Sequence, residues 1–133
     1  MAEDDRPSLL IADDDPVVAA MLSMSLEEYF RVVAAATDSE EAIELAKTCE
    51  PDAALLDVDM PKGGGIRAVE GIGEVSPRTA IVVLSADESD ALVRELILAG
   101  ATAYRRKGTA PNGLAESVTE SITAHANARL AQH

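Results

Sequence analysis

The sequence predicts an α/β domain, a doubly wound sheet of five parallel strands with five helices. Two observations carry that expectation. Short apolar runs suited to buried parallel strands occur at Ser8–Ala12, Arg31–Ala35, Ala53–Asp57 and Thr79–Leu84, with a weaker fifth strand at Ala103–Arg106. Between them lie stretches with helical apolar spacing and recognisable start and stop residues, and that alternation leads to right-handed crossovers and a parallel sheet.

In chain order, Met1–Pro7 is a charged lead-in, and the first strand ends in three acids, Asp13, Asp14 and Asp15. Asp15 before Pro16 suits a helix cap with proline in the first turn, which leaves Asp13 and Asp14 without a structural task. The helix from about Pro16 to Tyr29 sets Val18, Met21, Leu22, Leu26 and Tyr29 on one side, so Met21 and Met24 read as packing, not as a metal or cofactor box. After the second strand, Asp38 caps a helix with Glu41 at its third position, a capping-box pattern. Ala42, Leu45, Ala46 and Cys49 share a face of that helix, and Pro51 stops it.

The third strand closes on Asp57, with Asp59 two residues later. Lys62 to Gly65 reads as a mobile loop, because its glycines match neither common phosphate-loop signature. Ile66–Glu74 is a weak helix, since Gly71 and Gly73 each cost about 1 kcal/mol relative to alanine. The β-branched fourth strand ends at Ser85, and Ser89–Ala99 is a helix stopped by Gly100. Arg105 and Arg106 suit a strand at the sheet edge, and Lys107 lies at its end. The last helix, Pro111–Leu130, carries Leu114, Val118 and Ile122 at spacings of four.

The 133 residues read as one domain over 1–133, with a core of about 8–124 and a helical tail over 125–133. Asp and Glu total 24 against 11 Lys and Arg, a net charge of −13, so direct nucleic-acid binding is not expected and a cation or basic protein surface is. No apolar run approaches the roughly 18 residues that cross a bilayer. The acidic start is not a secretory signal, and the single Cys49, read as a small core residue, fits a reducing compartment with the cytoplasm as default.

Every polar residue without a structural task follows a strand: Asp13 and Asp14 the first, Asp57 the third, Ser85 the fourth and Lys107 the fifth. Ligands bind beyond the carboxyl ends of strands in open α/β sheets. Clustered carboxylates need a cation to stay ionised together, and oxygen donors in this number suit Mg²⁺. A lysine and a hydroxyl beside them could neutralise a phosphoryl group arriving on Asp57, since carboxylates serve as nucleophiles toward phosphorus.

With LLIADDDP, PDAALLDVDMP, IVVLSA and GATAYRRKG in this order, the chain resembles the receiver domains of bacterial two-component response regulators over about 8–124. The resemblance implies the flavodoxin-like strand order 2-1-3-4-5. It implies that Asp57 accepts a phosphoryl group from the phosphohistidine of a histidine kinase or phosphotransfer protein. Asp14, Asp57 and the Asp59 carbonyl would bind Mg²⁺ directly and Asp13 largely through water, while Ser85 and Lys107 would contact the phosphoryl oxygens. Tyr104 matches the family's aromatic switch, moving with Ser85. The last two helices and last strand would then control an output domain or partner, or form a homodimer. Catalysis would be confined to the chain's own phosphorylation and dephosphorylation.

Gly108 stands where many members have a proline, often cis; the glycines near 64 replace a polar-Asp-Gly sequence; and Arg105 and Arg106 replace apolar residues. Leu98 is apolar where a polar residue is common, and with Arg105 it is assigned to a partner surface. Asp59 and Asp87 are positioned to tune the phosphoryl lifetime. Two rivals stay open. One is a haloacid-dehalogenase-like phosphatase using Asp57 and Asp59, against which the earlier Asp13-Asp14 pair and the short chain argue. The other is a pseudo-receiver scaffold with no phosphotransfer.

Overall fold

The structure is a computed structural model that describes residues 4–60, 64–86 and 89–131. Its elements are β1 (Ser8–Ala12), α1 (Pro16–Leu26), β2 (Arg31–Ala36), α2 (Ser39–Cys49), β3 (Ala53–Asp57), α3 (Gly64–Val75), β4 (Ala80–Ser85), α4 (Asp90–Ala99), β5 (Ala103–Arg106) and α5 (Pro111–Ala131). The strands pair in parallel in the order β2-β1-β3-β4-β5, the flavodoxin-like arrangement. β1, β3 and β4 are buried at every residue, as continuous apolar runs covered on both faces must be.

Strand alternation divides the interior into two cores. Leu10, Leu56 and Val83 meet Ala46, Ile72 and Leu96 on the side of α2, α3 and α4. Leu9, Leu55 and Val82 meet Leu26, Leu114 and Val118 on the side of α1 and α5. The open edges are managed locally. β2 bulges where the partner of Leu9 is Val32 and that of Leu10 is Ala34, and β5 carries the two arginines.

Caps set the helix starts. Asp15 accepts from the Val17 N–H at 2.9 Å, and Asp38 accepts from the Glu41 N–H at 2.8 Å. The Glu41 carboxylate reaches one residue beyond the usual box, taking the Thr37 N–H at 2.7 Å.

Three expectations are corrected. Met21 and Met24 do not pack inside: they are 62% and 74% exposed, because α1 buries only Ala19 and Leu26 and is apolar on its outer side as well. The helix also stops at Leu26 rather than Tyr29, and the chain turns there so that Phe30, 1% exposed, enters the α1/α5 core. Cys49 is exposed, because the last turn of α2 has run past the core and Lys47, Thr48 and Glu50 are exposed beside it. The Lys62–Gly65 loop is partly redrawn: Gly64 and Gly65 open α3, while Lys62 and Gly63 lie outside the described residues.

The glycines of α3 are not equivalent. A Cβ on Gly71 would lie 2.2 Å from Ile43 Cδ1 of α2, whereas one on Gly73 would meet nothing within 4 Å. Gly71 is therefore a contact point between helices, and Gly73 costs propensity without return. Gly73→Ala should raise stability by about 1 kcal/mol. Gly71→Ala should lower it by about 1 kcal/mol, overpacking outweighing the propensity gain. Urea midpoints at unchanged m-value read both signs; equal stabilisation by the two variants would mean that Ile43 simply moves aside.

Candidate functional site

Register creates the site. Ala12 of β1 pairs with Leu56 of β3, so the next residues, Asp13 and Asp57, emerge side by side from neighbouring strands. Asp13 is buried with its N–H on the Ala36 carbonyl at 3.0 Å, while Asp14 is exposed. Asp13, Asp14 and Asp57 each offer a carboxylate oxygen, and the three oxygens lie within 4.8 Å of one another.

Asp57, 1% exposed, uses its two oxygens differently. Oδ1 accepts from the Asp59 N–H at 3.1 Å and from Lys107 Nζ at 2.9 Å. Oδ2 is buried and has no hydrogen-bond partner among the described residues. An unsatisfied carboxylate oxygen in the interior costs free energy. Lys107 Nζ also reaches Asp59 Oδ2 at 3.4 Å, and the Lys107 N–H donates to the Ser85 carbonyl at 3.1 Å.

The charges show in the titration of the group. Burial pushes the Asp13 carboxyl above its ordinary value, and the negative charges of Asp57 and Asp14 push the same way against the Asp15 N–H bond at Oδ1. Burial opposes the Lys107 ammonium, but Asp57 and Asp59 outweigh it and hold its pKa above the usual lysine value.

A cleft of about 420 Å³ opens here, with Asp13, Asp14, Asp57 and Lys107 at its polar end. Val18 and Leu22 of α1, with Leu84 and Leu114, form its apolar wall. Ser85 sits, 1% exposed, at the end of β4, the strand paired with β3. Tyr104 of β5 packs against the core on the side of α2, α3 and α4. Asp87 lies outside the described residues.

The residues fit a divalent cation. Three carboxylates face one ammonium, one buried oxygen lacks a partner, and all the donors are hard oxygens. The contacts that spacing alone did not reveal are the Asp59–Lys107 pair and the apolar wall, since both depend on how α1 and the loop after β5 fold back over the strand ends.

The family model described as response regulator receiver domain matches residues 9–119. The uncharacterized transcriptional regulatory protein YxjL of Bacillus subtilis is 34% identical over 116 residues, covering 86% of this chain and 53% of its own length. The chain thus spans about half the length of such curated relatives. The chemotaxis protein CheY of Thermotoga maritima is 33% identical over 117 residues, covering 84% of this chain and 94% of CheY. Among solved structures, a complex of CheX, CheY, BeF3 and Mg²⁺ from Borrelia burgdorferi aligns with a TM-score of 0.78 at 27% identity, covering 85% of this chain and 87% of the matched one.

The raised Asp13 pKa has a thermodynamic consequence. A carboxyl whose folded-state pKa exceeds its unfolded value favours folding when protonated, and that contribution is lost as pH rises through the folded pKa. Asp13→Asn keeps an oxygen for the Asp15 N–H and removes the charge. Without metal it should raise stability at pH 7 by about 1 kcal/mol, and this advantage should narrow as pH falls. It should also shrink the stabilisation by Mg²⁺. Denaturant midpoints with EDTA and with Mg²⁺ measure all three; a less stable metal-free variant would show that repulsion at Asp13 is not what the fold bears.

Proposed function

The chain belongs to the response regulator receiver domain family, and from that premise we propose that it is a signalling switch set by phosphorylation of Asp57. The observation that carries this reading is that Asp57, grouped with Asp13 and Asp14, has a buried Oδ2 without a partner among the described residues while Lys107 occupies Oδ1. One oxygen is thereby held and neutralised, and the other is left as the nucleophile. In the transfer the P–N bond of a phosphohistidine breaks, an O–P bond forms to Asp57, and the imidazole leaves with a proton. Asp13, Asp14 and Asp57, with the Asp59 carbonyl, would hold Mg²⁺, which when bound offsets charge on the phosphoryl oxygens. The Lys107 ammonium would do the same, and the Ser85 hydroxyl, at the end of the neighbouring strand, would donate to the group. The Borrelia complex, with BeF3 and Mg²⁺ alongside CheY, supports this assignment.

Two surfaces suit two partners. Val17, Met21 and Met24 form an exposed apolar stripe on α1, continuous with Val18 in the wall of the cleft. A histidine kinase or phosphotransfer protein would dock there to bring its histidine to Asp57. On α4, Ile97 and Leu98 are exposed, Leu98 at 80%, and Arg105 and Arg106 lie on the adjacent β5. That α4-β5-α5 face, with Tyr104 coupling it to Ser85, would engage an output domain, a partner or a second copy. A net charge of −13 disfavours direct DNA binding by this domain. No helix among the described residues is long and apolar enough to cross a membrane, and a cytoplasmic setting suits a kinase-driven switch.

Acetyl phosphate with Mg²⁺ should add the mass of one phosphoryl group to the chain and none to Asp57→Ala. Absence of the adduct would leave a phosphotransfer-silent scaffold. The two faces separate by kinetics and assembly. Met21→Glu should slow transfer from a phosphohistidine donor severalfold and leave acetyl phosphate labelling unchanged. Leu98→Glu should spare both and weaken phosphorylation-dependent self-association or partner binding. Identical behaviour of the two variants would refute this division of labour.

A further inference from the structure

The connection from β5 to α5 is built as a tight turn. The Arg106 carbonyl accepts from the Thr109 N–H at 3.2 Å and from Thr109 Oγ1 at 2.7 Å, closing Arg106–Thr109 around Lys107 and Gly108. Gly108 has φ +93°, and no peptide bond among the described residues is cis. A positive φ at the third residue of such a turn is the type II signature, which glycine adopts freely and L-residues resist. Lys107 is the second residue of the turn. Its N–H is fixed on the Ser85 carbonyl at 3.1 Å, and its Nζ lies 2.9 Å from Asp57 Oδ1.

The space around Gly108 is open, since a Cβ built there would meet nothing within 4 Å. Steric exclusion therefore does not require glycine; backbone conformation does. We propose that Gly108 is the positioning residue for Lys107, its left-handed φ setting the turn that aims the ammonium at Asp57. The role in phosphotransfer rests on the function proposed above; the role in aiming Lys107 does not. An L-residue at 108 opens the turn in most molecules, and only the closed fraction presents Lys107 to the acceptor oxygen.

The test compares Gly108→Ala with Gly108→Asn, asparagine tolerating positive φ better than alanine. With acetyl phosphate and Mg²⁺, Gly108→Ala should be phosphorylated about tenfold more slowly than the parent chain, and Gly108→Asn about two- to threefold. A residue acting through Lys107 has no further effect once Lys107 is gone, so Gly108→Ala should cost nothing more in a Lys107→Ala background. A merely structural role would cost the same factor twice.

A second readout is independent of phosphotransfer. The chain has three lysines, Lys47, Lys62 and Lys107, so the Lys107 Cε–Hε resonance can be followed in lysine-labelled protein. Gly108→Ala should move it toward the position of exposed Lys47, and Gly108→Asn should move it less. An unmoved resonance, or a Gly108→Ala rate equal to that of the parent chain, would overturn the proposal. A parent chain that takes no phosphoryl group but shows the resonance shift would instead overturn the function and keep the positioning role.

Discussion

The carboxyl end of the sheet depends on one electrostatic constraint, a buried Asp57 carboxylate held beside two others with, among the described residues, the Lys107 ammonium to offset them. Left to themselves, the three acids would move apart and into water. They cannot, because β1 and β3 are adjacent, fully buried strands, and their pairing up to Ala12 and Leu56 fixes where the next residues emerge. The sheet therefore acts as a clamp against repulsion. The free energy that the two apolar cores supply thus offsets, in part, the repulsion among these like charges.

The helices serve that clamp from both faces, and the glycines show how closely. A Cβ on Gly65 would come within 2.6 Å of Val58 Cα, and the Gly65 N–H donates to the Val58 carbonyl at 2.8 Å. The start of α3 is thereby drawn onto the residue that follows Asp57, while Gly71 lets the same helix approach α2. On the other side the turn at Gly108 carries Lys107 over the acids. Rigid strands present the carboxylates, and two glycine-dependent connections present what surrounds them. Such a division suits chemistry in which positioning and charge neutralisation do most of the work.

Strand identity and the acids at strand ends are legible in the sequence pattern, because buried parallel strands are continuous apolar runs and leave their polar residues at the ends, whereas the strand order follows only from the family resemblance. The misreadings share one physical cause. Met21 and Met24 read as interior because α1 is apolar on nearly every side, so periodicity has no polar face against which to orient it. Cys49 keeps the spacing of Ala42 and Ala46, yet spacing carries no signal of where a helix leaves the core it packs on. Phe30 ends α1 by tertiary burial, not by a local stop residue. By sequence Gly71 is only a propensity cost, whereas its place against Ile43 exists only once α2 and α3 meet. Pattern reads an element's own chemistry; what a second element does to it appears only in the fold.

The same asymmetry indicates where a change at Asp57 can travel. β1, β3 and β4 are buried throughout and offer little freedom. By contrast β5 has four residues, none of them fully buried, and α4 buries only Leu96. Of these weakly held elements β5 is tied to the acid cluster through the next residue, Lys107, whose N–H lies on the Ser85 carbonyl and whose ammonium lies on Asp57. Elements that respond in switches come from the low-stability part of a fold. A change of charge at Asp57 would act first on Lys107, and the strain would fall on β5 and α4, which are less buried than the strands behind them. The exposed Leu98 sits on that yielding side, whereas the apolar stripe of α1 borders the cleft itself, so the two exposed apolar patches lie on opposite sides of the three central strands.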